Sequence, residues 1–138
     1  RKQQFDEQIR IGIMIEIPAI ALIADLAAEE VDFASIGSND LTQYLSAADR
    51  MNPEVAAYYK SDSTAMLRLL GIVFREFYKR EKEISVCGEM AGNPETAQLL
   101  VGLGARKLSM SSGNIAGVKA KLAECTLQEL TALAEKKL

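Results

Sequence analysis

Four times along this sequence a short, almost unbroken apolar run gives way to a segment with helical spacing, and that alternation restricts the fold more than any other feature. The runs predict parallel strands near residues 11–17, 32–37, 83–88 and 107–111. Gly12-Ile13-Met14-Ile15-Glu16-Ile17 is closed by Pro18 and leads into an Ala/Leu-rich helix from Ala19 to Glu30. Asp32 to Gly37 leads into Ser38-Asn39-Asp40, three N-cap candidates for a short helix through Ala48. After a turn at Asn52-Pro53, Thr64 to Lys79 places Leu67, Leu70, Phe74 and Phe77 on one helical face. Glu83 to Gly88 precedes a helix opened by Asn93-Pro94 and stopped by Gly102-Leu103-Gly104. Lys107 to Met110 precedes helical spacing from Ile115 to Glu124, and a last helix starts at Leu127 behind a Thr126/Glu129 capping box. This βαβαβαβα order predicts an α/β fold with right-handed crossovers. Periodicity leaves open a doubly wound sheet or half of a closed barrel; the 138 residues are about half of the ~250 that a complete (βα)8 barrel uses.

Composition narrows the function classes. A net charge of −3 with scattered Lys and Arg argues against a nucleic-acid-binding surface. The longest apolar stretch, residues 11–28, is interrupted by Glu16, Pro18 and Asp25, so no membrane insertion is expected. Two cysteines, Cys87 and Cys125, are too few for a disulfide framework and point to a reducing, cytoplasmic setting. The absence of histidine excludes imidazole chemistry within this sequence. Because it opens on Arg1-Lys2-Gln3-Gln4 without a methionine, the chain reads as a piece of a longer protein.

In parallel βα folds ligands gather at the C-terminal ends of the strands. The polar residues there are Glu16 after the first run, Asn39 and Asp40 after the second, Cys87 with Glu89 beyond it on the third, and Ser111 and Ser112 after the fourth. Each has a second reading: Asn39 and Asp40 as helix caps, Cys87 as a small buried filler, and Arg50 as a surface pair with Asp49 or Glu54. Glu16 interrupts an apolar run, where an unpaired buried carboxylate is costly, so it calls for a cation or donors nearby. Two carboxylates without imidazole or a thiolate cluster suit Mg²⁺, completed by water and an oxygen-rich ligand. Arg50 could then clamp an anion bidentately.

Residues 12–18, Ser35-Ile36-Gly37-Ser38-Asn39-Asp40-Leu41-Thr42-Gln43-Tyr44 running on to Ala48-Asp49-Arg50, Cys87-Gly88-Glu89-Met90-Ala91-Gly92, and Leu108-Ser109-Met110-Ser111 resemble enzyme I of the bacterial sugar phosphotransferase system. Pyruvate phosphate dikinase and phosphoenolpyruvate synthase share its catalytic barrel, but Met90-Ala91-Gly92 and Tyr44-Leu45 favour enzyme I. The resemblance implies that residues 1–138 are the last four βα units of a (βα)8 barrel that binds phosphoenolpyruvate and Mg²⁺. It implies Glu16 and Asp40 as Mg²⁺ ligands, Asn39 and Asp40 as substrate contacts, Arg50 as a phosphate clamp and Cys87 as the general acid that protonates the enolate carbon.

It further implies pyruvate as product, a histidine-containing phosphocarrier protein reached through an absent N-terminal domain, and a homodimer. The phosphorylated histidine and the arginines of the first barrel half are missing, and residues 59–64 lack the His-Pro usual before the following helix. A rival expectation is a non-catalytic dimerisation module. Half a barrel would also expose two sheet edges and inward apolar side chains, so self-association is expected.

Overall fold

A computed structural model describes residues 4–138. Its strands β1 (Gly12–Ile15), β2 (Phe33–Gly37), β3 (Glu83–Cys87) and β4 (Leu108–Ser109) form one all-parallel sheet in the order β1-β2-β3-β4. The register aligns Gly12 with Phe33 and Glu83, Met14 with Ser35 and Ser85, and Gly37 with Cys87 and Ser109. A doubly wound sheet reverses its strand order at a switch point. Here each strand lies beside its predecessor, so successive right-handed crossovers put their helices on one side, as in consecutive units of an α/β barrel. The strands are shorter than their apolar runs. Pro18 starts a helix straight after the first, and β4, with β3 as its single neighbour, pairs over only two residues.

Alternation along the strands sends Ile15, Ala34, Ile36, Ile84 and Val86 to the helical side, all nearly or fully buried. Above them lie α1 (Pro18–Leu22), α2 (Ala24–Glu30) and α4 (Thr64–Lys79). Helix α4 contributes Leu67, Leu70, Phe74 and Phe77, each at most 1% exposed. Burying each of these side chains stabilises the fold by roughly 1.5–3 kcal/mol. Ser63 caps α4 by accepting the Met66 N–H at 3.3 Å. The expected single helix over 19–30 is broken at Ile23 (φ −108°, ψ 33°), a kink that keeps Ala21, Ala24, Ala27 and Ala28 all buried. Helix α3 (Ser38–Ser46) ends at a left-handed Ala47 rather than Ala48. One short helix, α5 (Glu89–Gly92), has no counterpart in the sequence reading.

Asn93 caps α6 (Pro94–Gly102) through bonds from the Glu95 and Thr96 N–H groups. Helix α7 (Ser112–Ala123) starts earlier than Ile115, and α8 (Leu127–Glu135) has the expected capping box. No helix among the described residues is long and apolar enough to cross a membrane.

The face of the sheet away from the helices corrects one expectation. It carries Gly12, Phe33 and Glu83, then Met14, Ser35 and Ser85, then Gly37, Cys87 and Ser109. Only Met14 and Phe33 are large and apolar, and Ser85 Oγ lies 3.0 Å from Ser35 Oγ. Side-chain alternation has placed the Ile and Val residues under the helices, so the inward face is mostly small and polar.

At the opposite end of the sheet from the strand C-termini, Tyr78 donates its hydroxyl to the Gly104 carbonyl at 2.8 Å. Burial raises its pKa above the ordinary 10.0, against the pull of the Arg106 guanidinium stacked over its ring. A pKa raised by folding contributes stability that is complete below the unfolded value and lost as pH rises through the folded one. Stability of the chain should therefore fall above about pH 10, and Tyr78→Phe should remove part of that alkaline loss in urea titrations from pH 8 to 11. An unchanged alkaline profile in the variant would contradict the assignment.

Candidate active site

The C-terminal ends of the strands are built around two close backbone approaches. Glu16 follows β1 and lies across Gly37, where a Cβ would stand 2.6 Å from Glu16 Cγ and 2.6 Å from Oε1. Any other residue there would push the Glu16 side chain aside. Gly88, at φ +103°, holds a backbone conformation that other residues rarely adopt, and a Cβ there would meet Ser38 Oγ at 2.6 Å and Asn39 Oδ1 at 2.8 Å. The two glycines bring β1, the start of α3 and the β3–α5 turn into one rim.

Helix α3 begins directly at Ser38 with Gly37 at its N-cap and no side-chain cap, so the capping alternative for Asn39 and Asp40 does not hold. Their neighbour's bonds run to other strands: Ser38 Oγ donates to the Cys87 carbonyl at 2.7 Å. Asn39 Oδ1 accepts the Glu89 N–H at 3.0 Å, and the Asn39 Nδ2 has no hydrogen-bond partner among the described residues. Asp40, in the first turn of α3, faces Arg50 at 3.9 Å. Arg50 thus pairs with Asp40 and not with Asp49 or Glu54, and its backbone N–H is held by Gln43 Oε1 at 3.2 Å.

Cys87 is half-buried rather than a core filler, and its thiol donates to the Ile36 carbonyl at 3.5 Å. It is a free thiol, as is Cys125, which accepts from Gln98 Nε2 at 3.3 Å. Glu16 is half-buried too, with no hydrogen bond or ion pair among the described residues, and no buried side-chain oxygen is left without a partner. The sequence argument from a buried carboxylate is therefore corrected: Glu16 keeps contact with water at the rim.

Two clefts open there. One, of 360 Å³, is lined by Asn39, Cys87, Gly88, Glu89, Ser109, Met110, Ser111 and Asn114. The other, of 460 Å³, is lined by Asn39, Arg50, Met51, Tyr59 and Glu89. They share Asn39 and Glu89, so the thiol and the guanidinium stand on either side of one wall. Ser111 reaches the first cleft, while Ser112 opens α7 outside it.

Tyr59, Ser109 and Asn114 were not anticipated. Ser109 could have been found from strand alternation, since it lies in register with Cys87; nothing local singles out Tyr59. Burial raises the Tyr59 pKa above 10.0, helped by the Glu89 carboxylate and opposed by Arg50, so its hydroxyl stays a donor at neutral pH.

A larger cleft of 480 Å³ at the other end of the strands is lined by the N-terminal residues of β3 and the turns before β3 and β4, and part of its charge is engaged. Lys107 pairs with Glu83 at 2.9 Å, and Arg106 stacks on Tyr78 at 4.5 Å.

Among the described residues no three His, Cys, Asp or Glu side chains converge on a point that could hold a metal ion. A cation on the rim would take at most two carboxylates from the described residues, the candidates there being Glu16, Asp40 and Glu89, and the remainder from water and ligand oxygens. That donor set fits Mg²⁺, which keeps several waters and binds through one or two carboxylates.

Residues 1–127 match the family model described as PEP-utilising enzyme, PEP-binding domain. The multiphosphoryl transfer protein of Xanthomonas campestris pv. campestris is 47% identical over 131 residues, 95% of this chain and 16% of that protein. Multiphosphoryl transfer protein 2 of Escherichia coli K12 is 46% identical over 125 residues, 91% of this chain and 15% of that protein. The phosphoenolpyruvate-protein phosphotransferase of Bacillus subtilis is 43% identical over 134 residues, 97% of this chain and 24% of that protein. The chain thus spans less than a quarter of the length of these relatives. The family-model match over most of its length, together with a rim of strand-end polar residues on a partial barrel, makes this chain a member of the PEP-utilising enzymes, within their PEP-binding domain.

Proposed function

We propose that this chain is the second half of the phosphoenolpyruvate-binding barrel of a phosphoenolpyruvate-protein phosphotransferase, the enzyme that starts phosphotransfer-driven sugar uptake in the cytoplasm. The observation that carries this reading is the pair of clefts sharing Asn39 and Glu89, with the Cys87 thiol in one and Arg50 in the other. Phosphoenolpyruvate needs both: a cation for its phosphoryl group and an acid for its carbon.

In this reading Arg50 leaves Asp40 to hold the phosphoryl group, and the Asn39 Nδ2 donates to a ligand oxygen. The phosphoryl group passes to a histidine outside this chain, since the sequence has none, and then to a phosphocarrier protein. The carbon–oxygen fragment departs as an enolate. Cys87 then gives its thiol proton to the enolate methylene carbon, forming pyruvate, and the thiolate recovers a proton from water. The thiol's bond to the Ile36 carbonyl keeps the proton in place until that step. Mg²⁺ held by Glu16 and Asp40 would supply charge stabilisation for the enolate oxygen. The exposed apolar side chains Ile17, Leu22, Ile23 and Leu26 support the homodimer that accompanies this reading.

Among the described residues, the Asp40 side chain makes no ion pair or hydrogen bond beyond its 3.9 Å pair with Arg50. In the full-length protein carrying this sequence, Asp40→Ala should abolish Mg²⁺-dependent pyruvate formation. Asp25→Ala, in the first turn of α2, should leave it within about twofold, since surface substitutions cost little. Equal damage from both in a coupled pyruvate assay would make Asp40 structural and remove the metal role. As a non-catalytic dimerisation module, the domain would show neither effect.

A further inference from the structure

We infer that Tyr59 is a positioning residue of this rim, its hydroxyl tying the loop that carries Arg50 to the turn that carries Asn39. The inference rests on reading the rim as the phosphoenolpyruvate site. Residues 47–63 join α3 to α4 and are mostly exposed, with Met51 at 81% and Tyr58 at 71%. Ala48 is buried and Val55, Tyr59 and residues 61–63 are half-buried; of these, Tyr59 reaches the rim. It follows the single 3-10 turn Ala56–Tyr58, turns inward to half-burial, and donates its hydroxyl to the Asn39 carbonyl at 3.1 Å.

That bond is the counterpart of the one from α5. Asn39 is gripped through its side chain by the Glu89 N–H and through its backbone by Tyr59, so both neighbouring segments index on one residue. Arg50, Tyr59 and Asn39 line one cleft, and the hydroxyl that holds the Asn39 carbonyl joins the loop and the turn that face it. One hydroxyl thus sets the spacing between the two groups that face the anion. Near Arg50 the loop is otherwise tied to α3 by Gln43, through its side chain to the Arg50 N–H and its carbonyl to the Ala48 N–H, by the Tyr44 carbonyl to the Ala47 N–H, and by the 3.9 Å Arg50–Asp40 pair.

The test is Tyr59→Phe in the full-length protein carrying this sequence, which keeps the ring and removes the tie. The KM for phosphoenolpyruvate should rise about fivefold to tenfold, the value of one hydrogen bond with a charged neighbour. The kcat should change less than about twofold, because the Cys87 cleft is untouched. Amide exchange over residues 47–59 should quicken at least about tenfold while α4 and β3 stay protected.

Adding Tyr59→Phe to Arg50→Ala should raise KM little further; full additivity would overturn the inference. Faster exchange with an unchanged KM would make the tyrosine purely structural and overturn it. A raised KM without faster exchange would make the hydroxyl a direct ligand contact and overturn it as well. A wild-type protein that neither binds nor turns over phosphoenolpyruvate would instead overturn the functional reading, and the exchange comparison would still decide whether the hydroxyl braces the loop.

Discussion

Gly102→Ala will lower the melting temperature of the chain by roughly 5–12 °C, corresponding to about 2–3 kcal/mol. Gly102 ends α6, and a Cβ there would stand 2.1 Å from the Leu130 carbonyl oxygen, 2.7 Å from its carbon and 3.0 Å from Ala134 Cβ. Those atoms are mostly backbone, so no flexible side chain can yield. Helix α8 must retreat, and with it Leu130 and Ala134, which are 3% and 1% exposed. The α6–α8 contact is the most extensive between any two elements of the fold. Gly71→Ala is the control. Gly71 lies inside α4 with open space where its Cβ would be, so alanine should stabilise by about 0.5–1 kcal/mol through helix propensity alone. Thermal unfolding of both variants decides the matter; equal melting temperatures would show that α8 does not dock as described.

The second large effect is chemical. In the full-length protein, Cys87→Ala or Cys87→Ser should slow pyruvate formation by about 10²–10⁴-fold, the range of a general acid, while phosphoenolpyruvate affinity stays within about threefold. The thiol acts after the ligand is clamped, and the groups proposed for the clamp, Asn39 and Arg50, meet in the neighbouring cleft. Cys87 makes one weak bond of its own, to the Ile36 carbonyl, so its loss should not unfold β3. Equal losses in affinity and turnover, measured by calorimetry and a single-turnover assay, would remove the proton-donor role.

What could be read in the sequence was what is decided locally. The apolar runs, the α4 face of Leu67, Leu70, Phe74 and Phe77, the Asn93-Pro94 start and the Thr126/Glu129 box all depend on residues within a turn or two of one another. Strand ends were overextended because pairing depends on a neighbour: β4 stops at Ser109 where β3 has no more partners to offer. The choice between a doubly wound sheet and a partial barrel was decided by strand order, which periodicity does not encode.

At the rim, position relative to the strand ends marked Glu16, Asn39, Asp40 and Cys87, but not what their side chains touch. Ser38 and Asn39 have the residue types of helix caps, but they satisfy partners about fifty residues away, which no local pattern shows. Tyr59 reaches Asn39 from twenty residues further along the chain, and no local pattern announces it. Arg50 looked equally suited to Asp49 or Glu54; the fold gives it to Asp40 because α3 brings that carboxylate back beside the loop.

Whether the strand-end rim is the phosphoenolpyruvate site can be decided by following the backbone amide resonances of this chain during titration with Mg²⁺ and millimolar phosphoenolpyruvate. Shifts are expected at Glu16, Asn39, Asp40, Arg50, Cys87 and Glu89, and none at Tyr78, Arg106 or Lys107 in the cleft at the opposite end of the strands. Shifts confined to Tyr78, Arg106 and Lys107, or no saturable shifts at the rim, would contradict that assignment.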